Sequence, residues 1–335
     1  MPTPITSNEL DMINLKAFIT LERSAASAVY FEWRKTAEKA VDVLHSLIKQ
    51  GRFGEAHALA DRLTMKGVVG DQSAKLEELA ISAVLFGAHH ATRSLYDTSF
   101  VRGEQRLPDG IGLALHQLSH MVEQGGGDHV RNELHALIQA EELKACGLKK
   151  AELEKAENSL AARLNDAVIG SGRKMIDIGA NLTVSRLVSL GFLAEAMHKK
   201  IATYQVTEGL DSRTCSVCRY MHGKTFDVAR EYARVTTVLG TQDPQELKSA
   251  APWPRRDKAG LKALYAMSAQ EMQSAGYGSP PYHPGCRGVL QLAGTVEEDV
   301  PLGSLHMGDE LNPLIDGTKG PAEQALVAEE GSPGG

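Results

Sequence analysis

Two pairs of metal-binding side chains constrain this chain more than any other feature. Cys215-Ser-Val-Cys218 is followed by 64 residues, 219–282, and then by His283-Pro-Gly-Cys286. A two-residue spacer lets both sulfurs of a tight turn point inward, and a His-x-x-Cys pair does the same. Three thiols and one imidazole fill the four positions of tetrahedral zinc and leave none open, the pattern of a structural rather than a catalytic ion. The separation is far longer than ordinary finger spacings. Closing a longer loop adds only about 0.6 kcal/mol per doubling of length, whereas zinc binding supplies on the order of 10 kcal/mol. The expectation is one structural zinc per chain, held by Cys215, Cys218, His283 and Cys286. Two other uses of these cysteines stand beside it. One is a redox pair, for which no βαβ frame surrounds the first two cysteines; the other is reduced thiols that only pack. Cys146, alone in a helical stretch, reads as a buried small hydrophobe.

The rest of the chain narrows the setting. Its 335 residues allow two domains. With 42% hydrophobic and 23% charged residues it is not wholly disordered, and 5% aromatics with 32 glycines favour Ala- and Leu-based helices over a β-sandwich. The longest apolar stretch, Ala80 to Ala88, is interrupted by Ser82 and is far short of the ~20 residues that cross a bilayer. Met1 to Asp11 lack the basic start and apolar core of a secretory signal. A chain that stays inside the cell making it is expected. Charge is uneven: residues 296–335 hold nine acids and one base, Lys319, a net of −8. The formal total is −6, so residues 1–295 carry +2, which gives no electrostatic case for nucleic acid by itself.

The expected fold is α+β and predominantly helical. Residues 1–164 read as a helical domain and 165–295 as a mixed domain with a CxxC…HxxC knuckle. A helical insertion is expected at 227–279, and 296–335 read as an acidic extended tail. Ala37, Ala40, Val41, Leu44, Leu47 and Ile48 follow helical spacing until Gly51. Leu134, Leu137 and Ile138 repeat it before Gly147. Leu153, Leu160, Leu164 and Val168 form another stripe, with Gly170 and Gly172 as its expected end. Val184, Leu187 and Val188 begin a helix running to about Lys200, and Gly125 to Gly127 read as a flexible break. Thr203 to Thr207 and Gly288 to Ala293 are candidate strands. Asp243-Pro244-Gln245-Glu246 and Ser268 with Glu271 are capping signals for helices between them.

Other constellations carry less. His116 and His120 share a helical face, but His-Gln-Leu-Ser-His lacks the glutamate of a zinc protease. Gly223-Lys224-Thr225 mimics the end of a phosphate loop, yet Cys218 stands where the first glycine belongs. Ala251 to Lys258, a short basic loop with Trp253, reads as a solvated turn. No nucleophile–base or paired-carboxylate arrangement stands out, and no enzyme is expected.

Three blocks in order carry a family resemblance. They are Asp211-Ser-Arg-Thr-Cys-Ser-Val-Cys218, Met221-His-Gly-Lys-Thr-Phe226 and Pro280-Pro-Tyr-His-Pro-Gly-Cys-Arg287. Together they resemble the Mu F-like minor head proteins of tailed phages, over about residues 165–295, and Gly179 to Lys200 looks like that family's preceding helix. Family members commonly end the last block Cys-Arg-Cys; here Gly288 stands in the final position, leaving one set of four ligands. The segment between the ligand pairs is also long, with three helices expected between Asp227 and Gly276. Toxin domains that follow the motif in some members have no counterpart in the acidic tail.

The resemblance implies a structural virion protein of head assembly near the portal, in the virion after assembly in the host cytoplasm. Its implied partners are the portal protein, the major capsid protein or both, with packaged DNA as a further one, and neither membrane nor small-molecule substrate. A zinc-ribbon-like nucleic-acid binder is the alternative; it requires a concentrated basic face, which +2 spread over 295 residues does not announce.

Overall fold

The structure, a computed structural model, describes residues 7–92, 106–146 and 159–293. Leu153 and the tail from 296 lie outside them. Most described residues are helical, and a small three-stranded antiparallel sheet completes the fold. Helix α1 (Ser7–Lys49) ends where its apolar stripe does. Gly51 takes φ +71°, and the amides of Gly51 and Arg52 donate back to Ile48 and Leu47, a Schellman closure. Then come α2 (Phe53–Arg62), α3 (Ser73–Thr92), α4 (Arg106–Ser119) and α5 (Gly127–Ala145). After α6 (Leu160–Asn165), α7 (Ser171–His198) leads into the sheet.

Two expected breaks are absent. Gly125 to Gly127 do not interrupt the chain: a π-helical turn, His120–Gly126, joins α4 to α5. Likewise Gly170 and Gly172 do not end a helix, because a π-helical turn, Asp166–Gly170, joins α6 to α7. Two of these glycines make room. A Cβ on Gly126 would stand 3.0 Å from Met65 Sδ, and one on Gly172 would strike the indole of buried Trp33. Close approach, not chain reversal, explains these two, whereas a Cβ on Gly125 would meet nothing within 4 Å.

By its contacts the chain divides into two units. One draws on Ala25–Leu76 and Leu115–Ala180, so residues 164 and 165 belong together. Trp33, Leu44, Met65, Leu118, Leu134, Ile138 and Leu164 are buried in it. Arg131 donates to the Leu63 carbonyl at 3.2 Å, tying α5 to the end of α2.

The other unit draws on Met1–Ser24, Glu77–Ala114 and Asn181–Gly335. Within it α3 and α7 approach backbone to backbone. A Cβ on Gly87 would collide with the Val188 carbonyl, and one on Gly191 with the Val84 carbonyl. The run Leu160–His198 is long and apolar enough to span a membrane by length and composition, but its apolar window is 89% buried in protein. Beyond α7, β1 (Thr203–Thr207) is the central strand, flanked by β2 (Thr225–Asp227) and β3 (Val289–Leu292) in the order β2-β1-β3. Tyr204 pairs with Phe226 on one side and Leu292 on the other, and its hydroxyl donates to the Gly278 carbonyl at 2.9 Å. β1 and β3 match expectation; β2, only three residues long, carries too little pattern to be read.

Between β2 and β3 lie four helices rather than three: α9 (Val228–Gly240), α10 (Pro244–Ala250), α11 (Lys258–Ala266) and α12 (Ala269–Ser274); α8 (Ser216–Met221) precedes β2. The capping chemistry is present. Asp243 accepts from the amides of Gln245 and Glu246, with Pro244 in the first turn, and Ser268 with Glu271 forms a complete capping box. Buried Glu231 holds this segment to the loop before the ligands, accepting from Arg234 at 2.5 Å and from Ser279 at 2.7 Å.

Candidate metal centre

Short backbone devices aim each ligand. Cys215 is the N-cap of α8, its sulfur accepting from the Cys218 amide at 3.5 Å, and the first turn of that helix points Cys218 the same way. On the other side Gly285 takes φ +76°, and the Cys286 amide donates to the His283 carbonyl at 3.1 Å. Asn181 of α7 clamps this turn: its amide donates to the Cys286 carbonyl at 3.0 Å and its oxygen accepts from the Gly285 amide at 2.9 Å. His283 Nδ1 lies 2.7 Å from the Pro284 carbonyl, which fixes the proton there and leaves Nε2 a free lone pair facing the sulfurs.

Cys215, Cys218 and His283 bring their donor atoms together, and Cys286 approaches beside Cys218, in a separate trio. His283 Nε2 is 3.2 Å from Cys215 Sγ and 3.1 Å from Cys218 Sγ, and Cys218 Sγ is 3.8 Å from Cys286 Sγ. Around tetrahedral zinc, bond lengths of about 2.3 Å to sulfur and 2.0 Å to nitrogen require edges of about 3.8 Å between sulfurs and about 3.5 Å from sulfur to nitrogen. The sulfur edge matches; the nitrogen edges are a few tenths of an ångström short. The hydrogen bond to Cys286, then burial, push the Cys218 thiol far up. A cation bound beside these sulfurs would favour the thiolate form instead, and thiols with an imidazole are donors that suit a soft metal ion.

The structure adds residues the sequence reading did not single out. Glu208, one residue past β1, is buried, with Oε1 3.6 Å from Cys286 Sγ. Glu208, Cys218 and Cys286 form a second buried trio of donors that shares Cys218 with the trio of Cys215, Cys218 and His283. Burial lifts the Glu208 carboxyl to about 7. The β1–β3 register, with Thr207 opposite Val289, is what brings it to the ligands, and a Cβ on Gly288 would strike its carboxylate. No local motif announces Glu208. Asn181 did leave a signal, an amide set in the long apolar run of α7.

An outer clamp joins the blocks. Arg287 donates to both oxygens of Asp211, at 2.7 and 2.8 Å, and this guanidinium holds the Asp211 carboxyl well below its usual range. Asp211 also accepts from the Arg213 amide at 2.8 Å, and its own amide donates to Thr214 Oγ1 at 2.9 Å. From the middle block, His222 Nδ1 accepts from the Glu208 amide at 3.1 Å. Gly223, at φ +81°, turns the chain into β2.

The weaker candidates fall elsewhere. His116 is exposed and His120 half-buried, and no third ligand joins them among the described residues. Cys146 is exposed, correcting the expectation of burial, because it is the C-cap of α5 rather than a residue facing a core.

Fold and site together define a mostly helical protein whose small sheet carries a Cys/His cluster able to hold a metal ion. Comparisons with protein-family models, curated proteins and solved structures find no match for this chain.

Proposed function

We propose that this chain is a structural minor head protein of a tailed phage, acting in head assembly beside the portal, with one structural zinc on Cys215, Cys218, His283 and Cys286. The observation that carries the reading is the convergence of all three sequence blocks. The first and third supply the ligands and are clamped by Asp211 and Arg287, while the second contributes His222 to the Glu208 backbone. Residues that resemble a family signature as a set thus gather around one place, the second block through Glu208, which also approaches Cys286.

In this role zinc, when bound, supplies cross-linking energy and no chemistry. The side chains orient it: Pro284 fixes the imidazole and Asn181 holds the loop. A closed set of three thiolates and one imidazole leaves no position for water, so the reading is non-enzymatic. The portal protein, the major capsid protein or both are the partners.

Mass spectrometry of purified particles from the source phage, with elemental analysis of the isolated protein, tests this. Low-copy presence in mature heads, about one zinc per chain and defective particles on gene deletion are the expected results. Absence from proheads and virions while infection proceeds normally would overturn it.

A further inference from the structure

We propose that α8 and α11 together form a binding surface for single-stranded nucleic acid, independent of the phage reading. On α11, Lys258, Lys262 and Tyr265 stand at i, i+4 and i+7, all exposed, while Leu264 faces inward. Tyr265, 48% exposed, packs its ring 4.3 Å from that of Tyr220 on α8, and the Tyr220 hydroxyl donates to the Tyr265 carbonyl at 3.3 Å. Lys224 Nζ lies 4.3 Å from the Tyr220 ring centre. Arg256 is exposed just before α11, in the loop that packs against Gly260 through Arg255. Lys258 to Tyr265 span about 10 Å of α11 at 1.5 Å per helical residue, and with Arg256, Lys224 and Tyr220 they place four cations beside two rings tilted by 47°.

Its chemistry selects the occupant. Between Ser212 and Phe226, and again from Lys258 to Ala266, there is no acid, and Asp257, between Arg256 and Lys258, is ion-paired with Arg255. Among the described residues none of Arg256, Lys258, Lys262 and Lys224 has an acidic partner. The exposed neighbours Ala259, Ala263 and Ala266 leave the stripe uncrowded. Cations alone would suit any polyanion. An exposed ring beside them adds a flat face on which an unpaired base stacks, and that combination favours a single strand over a duplex or an acidic peptide. The net charge near zero hid this face because its two halves lie about forty residues apart and meet only in the fold.

Fluorescence anisotropy with the full chain tests it, using labelled oligo-dT of 20 nucleotides, the same strand paired with oligo-dA, and a poly-Glu peptide. Four phosphate contacts at a slope of about 0.7 each predict binding on the order of fifty-fold weaker at 200 mM than at 50 mM salt. Lys258→Ala with Lys262→Ala should flatten the logarithmic salt slope by about 1.4. Tyr265→Ala should cost on the order of tenfold for oligo-dT and little for the duplex, while Tyr265→Phe retains binding. All these positions are exposed or edge-lying, so thermal melts of the variants should match the parent. No oligo-dT binding at 50 mM salt, affinity unchanged by the substitutions, or tighter binding of the duplex or the poly-Glu peptide would each overturn the proposal.

Discussion

Cys218 is the donor that both trios share, so its loss removes a ligand from either arrangement. Cys218→Ser should lower zinc content from about one per chain to well below half, by elemental analysis after gel filtration. Cys146→Ser, at an exposed helix end, should leave it unchanged. A second residue sets an acid limit. His90 on α3 is fully buried against Phe86, with ring centres 4.7 Å apart, and burial, reinforced by His89, depresses it to about 3. Its ordinary value is about 6.5. Below that pH the unfolded chain takes up a proton that the folded chain refuses, so stability is lost as pH falls from 6.5 towards 3. Between pH 6.5 and 5 the loss is about 2 kcal/mol. Urea unfolding should show His90→Leu losing about that much less over the same interval. At this scale the Cys/His cluster was legible because the spacing within each pair is local chemistry. Glu208 was not, because only strand register carries it to Cys286.

Helices contain the next set of expectations. Apolar spacing located α1, α5 and α7, and capping residues located α10 and α12, because both signals are contained within a few turns. Glycine was the ambiguous letter. Gly51 does stop a helix, at φ +71°, whereas Gly126 and Gly172 sit inside continuous helical runs to admit Met65 and Trp33. A sequence presents both uses identically, since the neighbour that requires the missing Cβ lies far along the chain. The α3–α7 crossing is the sharpest case. Gly87→Ala or Gly191→Ala would press a methyl onto a backbone carbonyl, not a pliable side chain. Each should destabilise by about 1–3 kcal/mol, measured by chemical denaturation. Gly112→Ala, in open space on α4, should instead be neutral or slightly stabilising.

Across the whole molecule, chain order and spatial grouping part company. The second unit is built from Ala25–Leu76 and Leu115–Ala180, although neither stretch signals the other. The centre, by contrast, lies within a single unit. Stripping the metal with a chelator should therefore raise amide exchange in β1, α8 and the turn at 283–286, while α2 and α5 keep their protection. Hydrogen exchange read by mass spectrometry separates these outcomes. Uniform loss of protection would mean that the two units unfold together.

The 64-residue gap between the ligand pairs also sets a clock. A ribosome adding about 5–20 residues per second exposes Cys215 and Cys218 roughly 3–14 seconds before Cys286 follows. Throughout that interval the nascent chain presents two unsaturated thiols with no partner to complete their coordination. Zinc captured early must wait on the α9–α12 segment to form, and an oxidant arriving first would meet an unguarded pair. The ligand set is therefore most open to oxidation before the second pair has been made.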